Sequence, residues 1–278
     1  MLASLCRSGT LPGFSVTFYR DHACSLVGDP LLRFVGKLDL ATPVVLVLIM
    51  SALTPDDLLA MPLFAELAEE QRILLLDRHR ETSHQVDQVI VMEQDWGESL
   101  FLIREGLAKV RTYTADGDEV IMSLLGQGDV FGEMAALDGA SRSADVVALT
   151  PLHLIKLHSV PFVALLGQQA SFALALARLE ASRLRDLNQR FALQSADATT
   201  RLLDALAYLA RKSSREQNPQ AEIPLLAQRE IALLAGLARE TASRTLSKLR
   251  NRGTVMETNG KFRIVDPQPL IKRGLLPG

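Results

Sequence analysis

Residues 228–249 read QREIALLAGLARETASRTLSKL, and their pattern decides how the C-terminal part of the chain folds. Ile231, Leu233 and Leu234 precede Gly236, and Leu237, Thr241, Leu246 and Leu249 follow it. These spacings predict two short amphipathic helices packed on one core with a turn at Gly236. Arg239, Glu240, Ser243, Arg244 and Lys248 are left on the outward face of the second helix. Arg and Glu side chains match the acceptors and donors of the DNA major groove, where Arg bonds guanine O6 and N7 and Glu accepts from cytosine N4. An ordinary helical hairpin with a solvated charged face carries the same pattern.

The residues that follow favour the first reading. Asn259-Gly260 separates two short β-prone runs, 254–257 and 261–265, which is a strong hairpin signal. Helix, turn, helix and hairpin predict a winged helix-turn-helix, with the second helix in the groove and the wing near the backbone.

Charge is distributed to match. The net charge is −2 over 278 residues. Residues 51–198 carry 12 Lys/Arg against 22 Asp/Glu, and residues 199–278 carry 14 against 7. An acidic body with a basic C-terminal module suits a phosphate-binding domain attached to something else. Cys6 and Cys24 are the two cysteines, too few for a secreted disulfide framework. The apolar run 44–50 is shorter than the roughly 18 residues of a membrane span. The expectation is a cytoplasmic protein with no membrane partner and no catalytic constellation: neither a nucleophile–base set nor a metal-ligand cluster is evident.

Residues 1–50 show no clear period. Met50 opens MSALTPDDLLAMPLF, with Thr54 a candidate helix cap and Pro55 at the first helical position. Residues 1–49 are therefore read as an over-extended frame, with a short strand or partner-binding tail as the alternative.

Helical spacing over 58–76 gives way to a period of two from about residue 82. Short runs at 86–91, 100–103, 108–113 and 120–122, separated by turns such as Asp116-Gly117, predict a small β-barrel or jelly roll. Within it lies GDVFGEMAALDGASRSA, 128–144. A Gly turn opening a short helix offers N–H groups to an anion. Arg142 supplies a charge-assisted contact to phosphate, Ser143 a hydroxyl donor, and Glu133 an acceptor for a ribose hydroxyl. A loop held by a Glu133–Arg142 ion pair fits the same residues.

The segment 128–144 resembles the phosphate-binding cassette of the cyclic AMP receptor protein (CRP/FNR) family, and RETASR, 239–244, resembles that family's recognition-helix core. The resemblance covers about 55–270. It implies an α+β fold: an N-terminal cyclic-nucleotide-binding β-roll (jelly roll), a long dimerisation helix and a C-terminal winged helix-turn-helix. The corresponding ranges are 1–50 for the leader, 51–160 for the roll, 161–198 for helix and hinge, and 199–278 for the DNA-binding domain. It implies ligand contacts from Gly132, Glu133, Met134, Arg142, Ser143 and Ala144, with Glu133 on the ribose 2′-hydroxyl and Arg142 and Ser143 on the cyclic phosphate. It also implies DNA contacts from Arg239, Glu240, Thr241, Ser243, Arg244 and Lys248. The adenine-bonding positions of cyclic-AMP-responsive members fall on Leu187, which can neither donate nor accept, and Asn188, which can do both. Ala238 stands where the family usually has a Ser cap, a change worth about 1 kcal/mol.

From residue 161 to about 192 the sequence predicts one long helix, with Ala177, Glu180, Leu184, Leu187 and Phe191 on a dimer seam. Residues 193–200 read as a hinge, with Asp197 or Thr199 as cap. The expected protein is a homodimeric regulator of palindromic double-stranded DNA. Cyclic AMP is its effector, no cofactor is bound, and RNA polymerase is a candidate partner. The rivals are the same regulator with another effector or none, and a nucleotide sensor acting on a protein partner. Two cysteines are too few for a four-thiolate iron–sulfur cluster, and isolated histidines such as His79 and His153 are more often structural than haem ligands.

Overall fold

The computed structural model describes residues 53–277 and three strands ahead of them. Residues 1–57 and 58–278 form two compact units. In the first, β1 (Ser8–Leu11), β2 (Phe14–Phe18) and β3 (Cys24–Val27) make an antiparallel sheet in that order, where the leading reading of the sequence placed no element and its alternative one short strand. Cys6, the run 44–49 and Met50 lie outside the described residues.

Helix α1 (Pro55–Leu59) begins after Thr54, as expected, but the capping is reversed: Asp57 Oδ2 accepts from both the N–H and the hydroxyl of Thr54. The helical stretch expected over 58–76 is interrupted by turns, and α2 spans Glu69–Leu76.

Eight strands follow: β4 (Arg80–His84), β5 (Val89–Val91), β6 (Ser99–Glu105), β7 (Ala108–Tyr113), β8 (Glu119–Leu125), β9 (Val130–Phe131), β10 (Asp145–Ala148) and β11 (Leu152–His158). They form two antiparallel sheets, β5-β10-β7-β8 and β4-β11-β6-β9. The strand expected over 86–91 is shorter, β5, because Val86 lies in the turn between β4 and β5. Between the sheets lie Phe101, Ile103, Leu125, Phe131, Val146 and Leu154, with Phe101 stacked on Phe131 at 5.0 Å between ring centroids. Each such buried side chain stabilises the roll by roughly 1.5–3 kcal/mol. Helix α3 (Glu133–Asp138) interrupts the strands, opened by Gly132 at φ +82°.

The long helix is broken. Helices α4 (Ser159–Gln168) and α5 (Ala170–Ala192) meet at 110°. Gln169, at φ −119° and ψ 99°, is extended; Pro161 sits in the first turn of α4, where its missing N–H costs nothing. Phe172, in the first turn of α5, packs edge-on against Phe162 at 5.3 Å and tilts over Phe64 at 5.9 Å. That apolar anchor fixes the corner. No single helix among the described residues is long and apolar enough to cross a membrane.

A 3-10 turn (Leu193–Ser195) leads to α6 (Ala198–Lys212). Asp197 is its cap: one carboxylate oxygen accepts from the Thr199 and Thr200 N–H groups, the other from the Thr200 hydroxyl at 2.6 Å. Then come α7 (Gln228–Leu234), α8 (Arg239–Asn251), β12 (Val255–Thr258), β13 (Lys261–Ile264) and α9 (Gln268–Ile271). β12 and β13 pair across Asn259 and Gly260, both at positive φ, the geometry that makes Asn-Gly a hairpin turn.

Asp197→Ala should lower unfolding stability in urea by about 1 kcal/mol, and Asp197→Ser should recover most of it. The Thr200 hydroxyl bond holds this carboxyl below its usual value. The cap's contribution is therefore present above the unfolded value of about 3.9 and is lost as pH falls through the folded one. Gly132→Ala should cost about 1 kcal/mol or more, because a Cβ there meets Arg142 Nη1 at 2.5 Å and the backbone is left-handed; urea midpoints check it.

Candidate functional site

A cavity of about 350 Å³ lies between the roll and α5. Val91, Val110, Leu125, Phe131 and Val146 give it an apolar floor, and Leu184 and Leu187 of α5 cover it. Gly132, Glu133, Met134, Arg142, Ser143 and Ala144 all line it, as does Leu187. The structure thus brings seven of the eight expected ligand residues into one space. Asn188 does not line this cavity and is exposed.

The polar groups are held by the elements around them. Phe131 on β9 ends the strand, Gly132 turns the chain, and Glu133 becomes the first residue of α3 with its side chain buried. Glu133 Oε1 accepts from Arg183 Nη1 at 3.0 Å, while its buried Oε2 has no hydrogen-bond partner. Burial pushes this carboxyl above its usual value, and Arg183 opposes the rise. Arg183 also bonds Glu180 at 2.8 Å and the Val130 carbonyl.

Arg142 makes no ion pair with Glu133. Its Nη1 donates to the Gly132 carbonyl at 2.8 Å and its Nη2 to the Ser99 carbonyl at 2.5 Å. Its backbone is tied to the preceding loop through Asp95 O and Gln94 N–H. Burial lowers the guanidinium's pKa, with Glu133 and Asp95 opposing; an arginine so placed keeps its charge. Ser143 is exposed, its hydroxyl 3.8 Å from Met134 Sδ. Arg142, Glu133 and the apolar floor together suit a ligand with an anionic group, a hydroxyl donor and a flat apolar body.

Arg183 was missed by sequence reasoning. It lies three residues from Glu180 and four from Leu187, so helical spacing alone puts it on the cavity face. The residues of the expected seam divide between two faces of α5. Glu180 and Leu187 line the cavity, whereas Leu174, Ala177, Leu184, Asn188 and Phe191 are exposed, with half-buried Ala181 between them. At 3.6 residues per turn this stripe is turned by about 50° from the expected one.

At the other end of the molecule, Ile231, Ala232 and Leu234 of α7 pack with Ala242, Leu246 and Leu249 of α8. Gly236 at φ +60° makes the turn between them. Arg201 of α6, which the sequence did not flag, donates to the Ala235 carbonyl at 3.0 Å and to the Gly236 carbonyl. Arg239, Glu240, Arg244 and Lys248 are exposed; Thr241 and Ser243 are half-buried. No side-chain cap supports α8 at Ala238. In the wing, Val255, Phe262 and Ile264 face inward and Met256, Lys261 and Arg263 outward.

Residues 81–169 match the cyclic nucleotide-binding domain family and residues 200–273 the Crp-like helix-turn-helix domain family. The cyclic AMP receptor protein of Thermus thermophilus is 34% identical over 195 residues, which are 70% of this chain and 88% of that protein. Among solved structures, FixK2 from Bradyrhizobium japonicum aligns with a TM-score of 0.61 at 22% identity, covering 70% of this chain and 96% of that one. The c-di-GMP responsive global regulator CLP of Xanthomonas campestris aligns at 0.57 and 20% identity, over 72% and 100%. With a nucleotide-type cavity at one end and an outward-facing recognition helix at the other, the chain belongs to the cyclic AMP receptor protein (CRP/FNR) family of DNA-binding transcription regulators.

Proposed function

We propose that the protein is a cytoplasmic homodimer that binds a palindromic operator under allosteric control by cyclic AMP. The observation that carries the effector reading is the buried, unpartnered Oε2 of Glu133 in the same cavity as Arg142. A buried acceptor without a donor costs free energy, and a ribose hydroxyl supplies that donor while the cyclic phosphate meets Arg142 and Ser143. Arg183 then serves to hold Glu133 in place. The reading divides the chain into roll, 51–160, helix and hinge, 161–198, and DNA-binding domain, 199–278.

The dimer reading draws on α5. Leu174, Ala177, Ala181, Leu184, Asn188 and Phe191 recur at alternating steps of three and four, the spacing of a coiled-coil seam. Leu184 is 57% and Phe191 71% exposed, so the stripe is uncovered within one chain. Pairing along it places Asn188 against the second copy, and two recognition helices then meet half-sites about 34 Å apart. Arg239, Glu240 and Arg244 read base edges, Lys248, Ser243 and Thr241 support them, and RNA polymerase is the partner that would read out the bound regulator.

A second effector reading rests on Leu187. It covers the cavity with a side chain that cannot hydrogen-bond, where cyclic-AMP-responsive members place Thr. The regulator CLP, described as c-di-GMP responsive, shares the fold. Another effector, or none, is therefore the alternative.

Calorimetric titration with cyclic AMP and with cyclic GMP separates these readings. Binding of cyclic AMP alone supports the first; binding of neither supports the second. If cyclic AMP binds, Arg142→Ala should abolish the heat of binding while leaving the circular dichroism spectrum intact, and unchanged affinity would refute the phosphate assignment. Arg244→Ala should cost about 1–3 kcal/mol of operator affinity and relax specificity at one base position. Uniform weakening across all sequences would make it a backbone contact instead.

A further inference from the structure

One charged cluster lies outside both sites. Lys109 on β7 is 1% exposed. Its ammonium lies 2.6 Å from Glu119 of β8 and 2.5 Å from Glu230 of α7. A lysine removed from water is tolerated only when it is paired, and one of its two carboxylates belongs to the first helix of the DNA reader. Glu230 is held in turn by Arg229 at 3.0 Å.

Other contacts span the same boundary. β8 is the edge strand of its sheet, and an edge exposes unpaired backbone groups. The Tyr208 hydroxyl of α6 accepts from Leu124 N–H at 3.2 Å. Ile121 and Leu124 share one apolar core with Leu206, Leu209 and Ile231 of the reader. Lys212 pairs with Asp129 at 2.9 Å. Gly126 approaches α6 so closely that a Cβ would collide with the Lys212 carbonyl.

We propose that the reader is seated on the β-roll of its own chain and that Lys109 is the positioning residue that locks it there. The orientation of the recognition helix is then set by β8 as well as by the hinge at 193–200. β8 also puts Met122, Ser123 and Leu125 into the nucleotide cavity. One strand therefore lines the cavity and bears on the reader within a single protomer. This goes beyond the effector reading and does not depend on it.

The test uses the full chain with Cys6 and Cys24 replaced by Ser and spin labels at Ala115→Cys on the roll and Asn251→Cys on the reader, diluted into unlabelled chain. The parent should give one narrow distance between the labels. Lys109→Glu, which sets a third carboxylate against Glu119 and Glu230, should lose it. Lys109→Glu with Glu230→Lys should restore it, because the new lysine again lies between two carboxylates. Gly126→Ala should lose the narrow distance by collision alone, without altering any charge. A distribution unchanged in either Lys109→Glu or Gly126→Ala, or a double variant as broad as Lys109→Glu, overturns the proposal. Adding cyclic AMP to the parent is a separate arm: no response counts against cyclic AMP as effector and leaves the ligand-free result standing.

Discussion

Arg183 and Glu133 must stay together. Glu133 is buried at the head of α3, and a carboxylate in that position without a cation costs several kcal/mol. The cation comes from α5, 50 residues later in the chain. The ion pair therefore does more than fill the cavity. It ties the cassette turn to the long helix, and the Val130 carbonyl bond from the same guanidinium ties the preceding strand to it as well. A ligand that engages Glu133 acts directly on a group whose partner sits on the helix that carries the exposed stripe.

Helix α5 is thus a two-sided element. Its Glu180–Arg183–Leu187 side closes the cavity, its Ala177–Asn188–Phe191 side is open, and Leu184 lies at the border of the two. A rotation of the helix by a fraction of a turn moves both faces together. That mechanical identity, rather than any chain of relayed contacts, is what makes allostery through this helix physically reasonable. The corner at Gln169, clamped by three buried phenylalanines, holds the far end still.

The elements with strong local signals were legible in the sequence. The Asn-Gly turn, the alternation of β7, the two helices around Gly236 and the cap at Asp197 all depend on residues close together in the chain. Six of the eight expected ligand residues, Gly132 to Ala144, could be proposed together because the cassette is contiguous, and they line one cavity with Leu187 of α5. What escaped were long-range partners. Arg183, Arg201 and Lys109 are ordinary charged residues until folding sets them beside Glu133, the Gly236 turn and Glu230. The break between α4 and α5 escaped for a related reason: no proline or glycine sits at Gln169, and the bend is imposed by packing. Three- and four-residue steps from Ala177 lead to two neighbouring faces of α5, and nothing in the local pattern tells that Glu180 and Leu187 border a cavity.

The side chains of Arg239, Glu240, Arg244 and Lys248 are exposed, and none of them forms a hydrogen bond or ion pair with another described residue. Substitutions at such positions change stability by no more than about 0.5 kcal/mol. The buried side of α8, through Ala242, Leu246 and Leu249, carries its folding. On the base-reading role proposed for these side chains, operator preference drifts over evolutionary time without disturbing the fold or the cavity, so that one sensor serves regulators addressed to different genes.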